Sequence, residues 1–252
     1  MDLAQYEQLN PRCEIEKDGK TVVYATPNRA TQWRVETLFT KEPVTIDWLG
    51  TLGPDDVLAD IGANVGMYSI WAGRVRGARV WAFEPESQNF ALLNRNIVLN
   101  GVAGLVKAYC VALSDRAGFS ELHLSEFAAG GSNHAYGEAL NFKLESMLPA
   151  YSQGCVAATL DELVGSGVLP QPTHIKIDVD GFEHKVAAGA ARTFRDRRLR
   201  SMIIEINRNL EAHRALVREL GELGFRWDEA QVAAAQRASG PFEGVAEYVF
   251  ER

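Results

Sequence analysis

The sequence predicts an α/β fold around a mostly parallel sheet, and three observations carry that prediction. Apolar runs alternate with amphipathic helical patterns from Val57 onward; the first run, Val57–Ile61, ends in closely spaced glycines; and acids gather where later runs stop, at Glu84 and Asp178.

Residues 1–50 mix β-like runs such as Thr21–Ala25 with charged stretches and Pro11, Pro27 and Pro43, which reads as an N-terminal extension packing on a core formed by residues 51–252. After Val57–Ile61, the stripe Val65, Tyr68, Ser69, Ala72 and Val75 predicts a helix, Ala78–Phe83 a second strand, and Ser87–Asn100, with Phe90, Leu93 and Ile97 on one face, a second helix. Gly77 and Gly101 follow the two helical patterns, where left-handed backbone commonly ends a helix. A third strand is expected over Leu105–Leu113 and an extra one over Phe119–Leu124. Residues 125–154 break the rhythm with a Gly-, Ser- and Asn-rich stretch at Ala128–His134, the pattern of a lid or substrate-binding insertion. A short helix at Leu160–Val164, strand His174–Val179, helix Phe182–Phe194, strand Ser201–Asn207, helix Glu211–Leu223 and two short strands, Phe225–Trp227 and Ala246–Phe250, complete the reading.

Composition narrows the function classes. A net charge of −7 and a sequence pI near 5.3 argue against a broad phosphate-neutralising surface, so nucleic acid is not an expected partner. Cys13, Cys110 and Cys155 form no CxxC pair and leave one unmatched in any pairing, which fits a reducing compartment; with no signal-like or membrane-spanning apolar run, the cytoplasm is the expected location and no membrane partner is expected.

In Asp60-Ile61-Gly62-Ala63-Asn64-Val65-Gly66 the chain turns from strand to helix, and Gly62 and Gly66 let backbone approach a ligand. A dinucleotide loop would present G-x-G-x-x-G to a pyrophosphate; here Asn64 replaces the second glycine and Asp60 would repel that anion. The arrangement suits an adenosine cofactor, with the Asp60 carboxylate matched to the ammonium group of a methionine moiety. Glu84, followed by Pro85 at the tip of the neighbouring strand, can accept hydrogen bonds from both ribose hydroxyls. Val111, Ala112 and Leu113 offer apolar faces to an adenine or simply end a buried strand. Further on, Asp178, Asp180 and Glu183 crowd the end of Ile175–Val179, more acid than a helix cap requires.

The segments D-I-G-A-N-V-G, F-E-P, A-L-S-D-R-A-G, T-L-D-E-L, I-K-I-D-V-D-G-F-E and I-I-E-I-N, running from about Val57 to Asn207, resemble in content and order those of FkbM-like methyltransferases. The resemblance implies a Rossmann-like, seven-stranded methyltransferase sheet, mostly parallel with an antiparallel last strand and helices on both faces. It implies S-adenosylmethionine as cofactor, held by Asp60, Gly62, Ala63, Asn64, Gly66, Glu84, Pro85, Ala112, Leu113 and Asp178, and O-methylation of a sugar or other natural product. Asp178 and Glu183 are then expected at the transfer site. Family members commonly carry Glu where this chain has Asp180, which shortens the carboxylate's reach, and the Ser132–His134 region is only loosely comparable.

Methyl transfer from a sulfonium needs in-line placement of the acceptor oxygen and a base for its proton, but no metal. Asp178 and Glu183 are the first candidates for that base because a strand end fixes them; His134, in the Gly-rich loop, is the next. A metal-dependent alternative would gather Asp178, Glu205 and Asn207 around Mg²⁺. A nicotinamide oxidoreductase is disfavoured by Asn64 and by the lack of a Tyr-x-x-x-Lys pair, and a non-enzymatic nucleotide-binding protein by the retained Asp60, Gly62, Gly66 and Glu84. The expected partner is a small-molecule or glycan acceptor, with self-association left open.

Overall fold

The computed structural model describes residues 1–17 and 19–252. The chain begins with α1 (Leu3–Gln8), the antiparallel strands β1 (Arg12–Lys17) and β2 (Lys20–Ala25), and helices α2 (Arg29–Glu36) and α3 (Pro43–Gly50). The side chain of Asn28 caps α2 by accepting from the Thr31 amide at 2.9 Å, and Pro43 opens α3, where a missing N–H costs nothing. Next come β3 (Val57–Ile61), α4 (Met67–Trp71) running into a π-helical turn at Ala72–Arg76, β4 (Arg79–Phe83), α5 (Ser87–Leu99) and β5 (Val106–Tyr109). The strands β6 (Ala112–Leu113), β7 (Gly118–Leu124), β8 (Ala135–Tyr136) and β9 (Tyr151–Ala158) follow. The chain then runs through α6 (Leu160–Gly165), β10 (His174–Ile177), α7 (Glu183–Ala188), α8 (Ala191–Arg195), β11 (Ser201–Asn207), α9 (Glu211–Glu222), α10 (Glu229–Ala235) and β12 (Val245–Glu251).

The main sheet has six strands in the order β12-β11-β10-β3-β4-β5, every pair parallel except β11 with β12. All five residues of β3 are buried, as expected of a parallel strand covered on both faces. Alternation sends Leu58 to one layer with Ile70, Leu93 and Ile97, and Ala59 and Ile61 to the other with Ile177, Val186 and Leu216. The first layer also takes in Val22, Tyr24 and Leu49 of the N-terminal segment.

That attachment is polar as well as apolar. Asn96 and Asn100 of α5 present their amides to β2: Asn96 accepts from the Ala25 amide at 2.8 Å, and Asn100 accepts from the Val23 amide and donates to its carbonyl. Two side chains thus stand in for a neighbouring strand and satisfy backbone groups that would otherwise be buried unpaired. The Tyr24 hydroxyl adds a buried bond to the Met67 carbonyl at 2.8 Å.

Three expectations are corrected. The main sheet has six strands rather than seven, because Phe225–Trp227 joins its edge only through one bridge, Arg226 to Glu251, before Asp228 caps α10 and turns the chain into a helix. The strand expected over Leu105–Leu113 stops at Tyr109, and Ala112–Leu113 instead pairs with β9 in a second sheet, ordered β6-β9-β7-β8. The helix expected over Phe182–Phe194 is broken between Ala188 and Ala191. Within the insertion, an isolated bridge joins Leu140 to Ser146. No described helix is long and apolar enough to cross a membrane.

The break at Gly189 packs tightly against the residue after β6, since a Cβ there would lie 2.0 Å from the Ser114 carbonyl oxygen. Gly189→Ala is therefore expected to destabilise the fold by about 1–3 kcal/mol through overpacking against backbone. Chemical denaturation checks this, and an unchanged midpoint would show that the α7–α8 junction can move aside.

Candidate active site

A cavity of about 400 Å³ opens at the carboxyl ends of β3, β4, β10 and β11, the end at which open α/β sheets receive ligands. Its floor is set by one contact. Gly62, at φ +79°, lies where any Cβ would stand 1.8 Å from the Asp178 carbonyl oxygen, so only glycine lets β3 turn against the tip of β10. The amides of Gly62 and Ala63 both donate to the Phe83 carbonyl at 3.0 Å, tying the same turn to β4.

Asn64, left-handed at φ +50°, engages its amide and both polar atoms of its side chain in the turn's surroundings. Its amide donates to Glu84 Oε2 at 2.8 Å, its Oδ1 accepts from Val65, and its Nδ2 donates to the Gly131 carbonyl at 2.7 Å. The last bond brings the Gly-rich loop to the cavity, and Asn89 doubles the anchor by accepting from the Gly130 amide. Gly62, Asn64, Glu84, Pro85, Ala112, Leu113, Asp178 and His134 all line the cavity, as do Val111 and Glu205.

The carboxylates along this wall differ sharply. Burial pushes Glu84 up to about 7 against the amides of Glu86 and Asn64 that it accepts. Burial and the charge of Asp178 lift Asp180 to about 7, although its Oδ2 accepts from the Asn133 amide at 2.7 Å. Asp178 moves the other way: burial alone would raise it, but Lys176, 3.2 Å away, with Lys41 and Arg237 outweighs that and holds it below the usual range. Burial lowers the pKa of His134, whose Nε2 is buried without a hydrogen-bond partner among the described residues.

Four expected site residues stand elsewhere. Asp60 is fully buried and turned from the cavity, its carboxylate taken by the Ser69 hydroxyl and by Lys176 at 3.8 Å, its register partner on β10. Gly66 serves helix packing, with Leu93 where its Cβ would be. Ala63 borders only a smaller recess beside the cavity. Glu183, also fully buried, accepts from the Val179 amide at 2.8 Å and the Gly181 amide at 3.4 Å, so it shapes the loop carrying Asp180 instead of facing a substrate.

The family profile described as "Methyltransferase FkbM domain" matches residues 60–227. The chain belongs to the FkbM methyltransferase family. It is 30% identical over 179 residues to the hexuronic acid methyltransferase AglP of Haloferax volcanii, an alignment covering 71% of this chain and 67% of that protein. Over 68 residues it is 46% identical to the 31-O-demethyl-FK506 methyltransferase FkbM of Streptomyces tacrolimicus, covering 27% of this chain and 25% of the relative. The fold superposes on methyltransferase FkbM from Methylobacillus flagellatus KT with a TM-score of 0.51 at 16% identity, covering 81% of this chain and 45% of that one.

Several cavity residues of this FkbM protein went unread in its sequence. Trp33, Arg34 and Lys41 come from the N-terminal segment and Arg237 and Phe242 from the stretch before β12, neither of which carries a motif. Asn89 did leave a signal: Asn89, Asn96 and Asn100 recur on the buried face of α5, and amides on a core stripe must serve backbone somewhere.

The metal-binding alternative meets a different geometry. Asn207 is committed to its own turn, accepting from the Asn209 amide at 3.0 Å, and the oxygens that converge within 4.8 Å belong to Asp178, Glu183 and Glu205. Each of these already faces a protein donor: Lys176 at 3.2 Å, His213 at 3.2 Å and Arg237 at 2.9 Å, respectively. A divalent ion there would compete with these three donors for the same carboxylates. Activity is expected to persist in excess chelator; a loss that Mg²⁺ restores would reinstate the metal.

Glu84 gives a pH signature. Its folded pKa lies above the ordinary carboxylate value, so the stability it allows is fully present below about pH 4.5 and is lost as pH rises through about 7. Relative to Glu84→Gln, the ligand-free protein should lose stability between pH 5 and pH 8. Denaturation of both proteins at the two pH values checks this, and an equal difference at both would show that Glu84 is not lifted.

Proposed function

We propose that this FkbM-family protein transfers the methyl group of S-adenosylmethionine to a hydroxyl oxygen of a sugar or another natural product. The observation that carries the reading is one continuous cavity that joins the Gly62 turn, Glu84 at the tip of β4, the apolar Val111–Leu113 and Asp178 at the tip of β10. Ribose hydroxyls donate to Glu84, the adenine lies against Ala112 and Leu113, and the ionised Asp178 takes over from Asp60 as partner of the cofactor's ammonium group. The rest of the cavity, with Trp33, His134, Tyr136 and Phe242, is left for the acceptor. Two relatives bear the names of a hexuronic acid methyltransferase and a 31-O-demethyl-FK506 methyltransferase, which supports an oxygen-rich acceptor.

In the reaction, the acceptor oxygen forms a bond to the methyl carbon as the carbon–sulfur bond breaks, and the hydroxyl proton leaves to a base. The carboxylates divide that work. Asp178, held ionised by Lys176, suits a permanent charge, whereas Asp180, lifted to about 7 and lining the cavity, suits proton exchange near neutrality. Asp180→Asn is expected to lower kcat by a factor on the order of 10²–10⁴ and to remove an ascending limb near pH 7 from the rate profile. Retained turnover in that variant, with loss in His134→Gln, would assign the proton to His134.

A further inference from the structure

The amino-acid tail of S-adenosylmethionine carries a carboxylate as well as an ammonium group, and an acidic strand tip can hold only the second. Beside the Gly62 turn lies a recess of about 40 Å³, the size of one small polar group. Gly62, Asn64, Lys176 and Asp178 line it together with Arg34, Thr37, Lys41 and Glu42 of the N-terminal segment. Arg34, Lys41, Gly62, Asn64 and Asp178 also border the main cavity, so a ligand there can extend into the recess.

Among the cations along this cavity, Arg34 stands apart. Lys41 is 2.6 Å from Glu42, Lys185 2.7 Å from Glu138, and Arg237 2.9 Å from Glu205. The Arg34 guanidinium has no carboxylate within 4 Å among the described residues, and of its donors only Nε is engaged, on the Gly130 carbonyl at 2.9 Å. That bond holds the planar fork in place while leaving both terminal nitrogens free, the arrangement that receives a carboxylate in bidentate fashion.

We infer that Arg34, which lies outside the matched family region, binds the α-carboxylate of the cofactor's amino-acid tail in the recess beside Gly62 and Asn64. The inference rests on the S-adenosylmethionine reading above. The N-terminal segment then completes the cofactor site, with Arg34 on the carboxylate and Asp178 on the ammonium group. An acceptor's carboxylate has the same chemistry, but Asp178, the partner proposed for the ammonium group, borders the same recess, so a tail that carries both groups is the better match.

Calorimetry on the full chain tests this with two ligands: S-adenosylhomocysteine, and 5′-methylthioadenosine, which keeps the adenosine and sulfur but lacks the tail. R34A is expected to weaken S-adenosylhomocysteine about 10- to 100-fold, the range for a charge-assisted hydrogen bond, and to leave 5′-methylthioadenosine unchanged. Retained binding of the second ligand reports that the pocket is folded, and R34K should fall between parent and R34A. Unchanged S-adenosylhomocysteine affinity in R34A, or equal losses for both ligands, overturns the inference. So does intact S-adenosylhomocysteine affinity with lost binding of glucuronate to the complex, which would give the carboxylate to the acceptor. A parent that binds neither nucleoside would instead remove the cofactor reading itself.

Discussion

Gly62 and the Asp178 carbonyl occupy neighbouring positions on adjacent parallel strands, and the absence of a side chain on one of them decides where the site forms. The register that pairs Ile61 with Ile177 continues for one further bond, from the Asp178 amide to the Ile61 carbonyl, and then the two strands part. Because Gly62 turns against backbone, the loop after β3 and the acidic loop after β10 leave the sheet at the same height. Glu84, Asp178 and Asp180 consequently line one cavity although they come from distant parts of the chain. A larger residue at position 62 would push the turn away from β10 and separate them.

The same convergence creates an electrostatic problem, which the fold solves pair by pair. Asp60 and Lys176 are register partners, and Lys176 reaches on to Asp178, so one buried ammonium serves two carboxylates. Across the β11–β12 pair, Glu205 faces Glu247, a like-charged match that would be repulsive on its own; Arg237 bridges it with contacts of 2.9 and 2.8 Å. Burial lifts Glu84, Asp180 and Glu247 to about 7, and raises Glu205 as well although Arg237 lies 2.9 Å away. Asp178 is held low because Lys176, Lys41 and Arg237 together outweigh its burial.

What the sequence discloses about this site follows from how local the signals are. The Gly62–Asn64 turn, Glu84 at a strand tip and the acids after Ile177 are legible because strand, turn and residue type are adjacent in the chain. The misreading of Asp60 has the opposite origin: its position before the turn suggested a ligand contact, whereas its direction is fixed by a partner, Lys176, more than a hundred residues away. Glu183 was misjudged for a similar reason, since only the folded loop shows its carboxylate spanning the Val179 and Gly181 amides. The sheet count failed at Phe225–Trp227, where strand-like residues are overruled by the Asp228 cap that follows.

The N-terminal segment shows why a motif-poor region can matter to a motif-rich site. Its hairpin is fastened by the α5 amides, and α2 carries Arg34 onto the Gly130 carbonyl, while Asn28 just before that helix bonds the Ala129 carbonyl at 2.8 Å. The Gly-rich loop is therefore gripped from both sides, by Asn28 and Arg34 on one and by Asn64 and Asn89 on the other. Displacing any one of these shifts the wall that carries His134 and supplies the amide of Asn133 to Asp180. Segment, loop and acidic strand tip form one mechanical unit, so sequence change in the N-terminal segment can alter the cavity without touching a family motif.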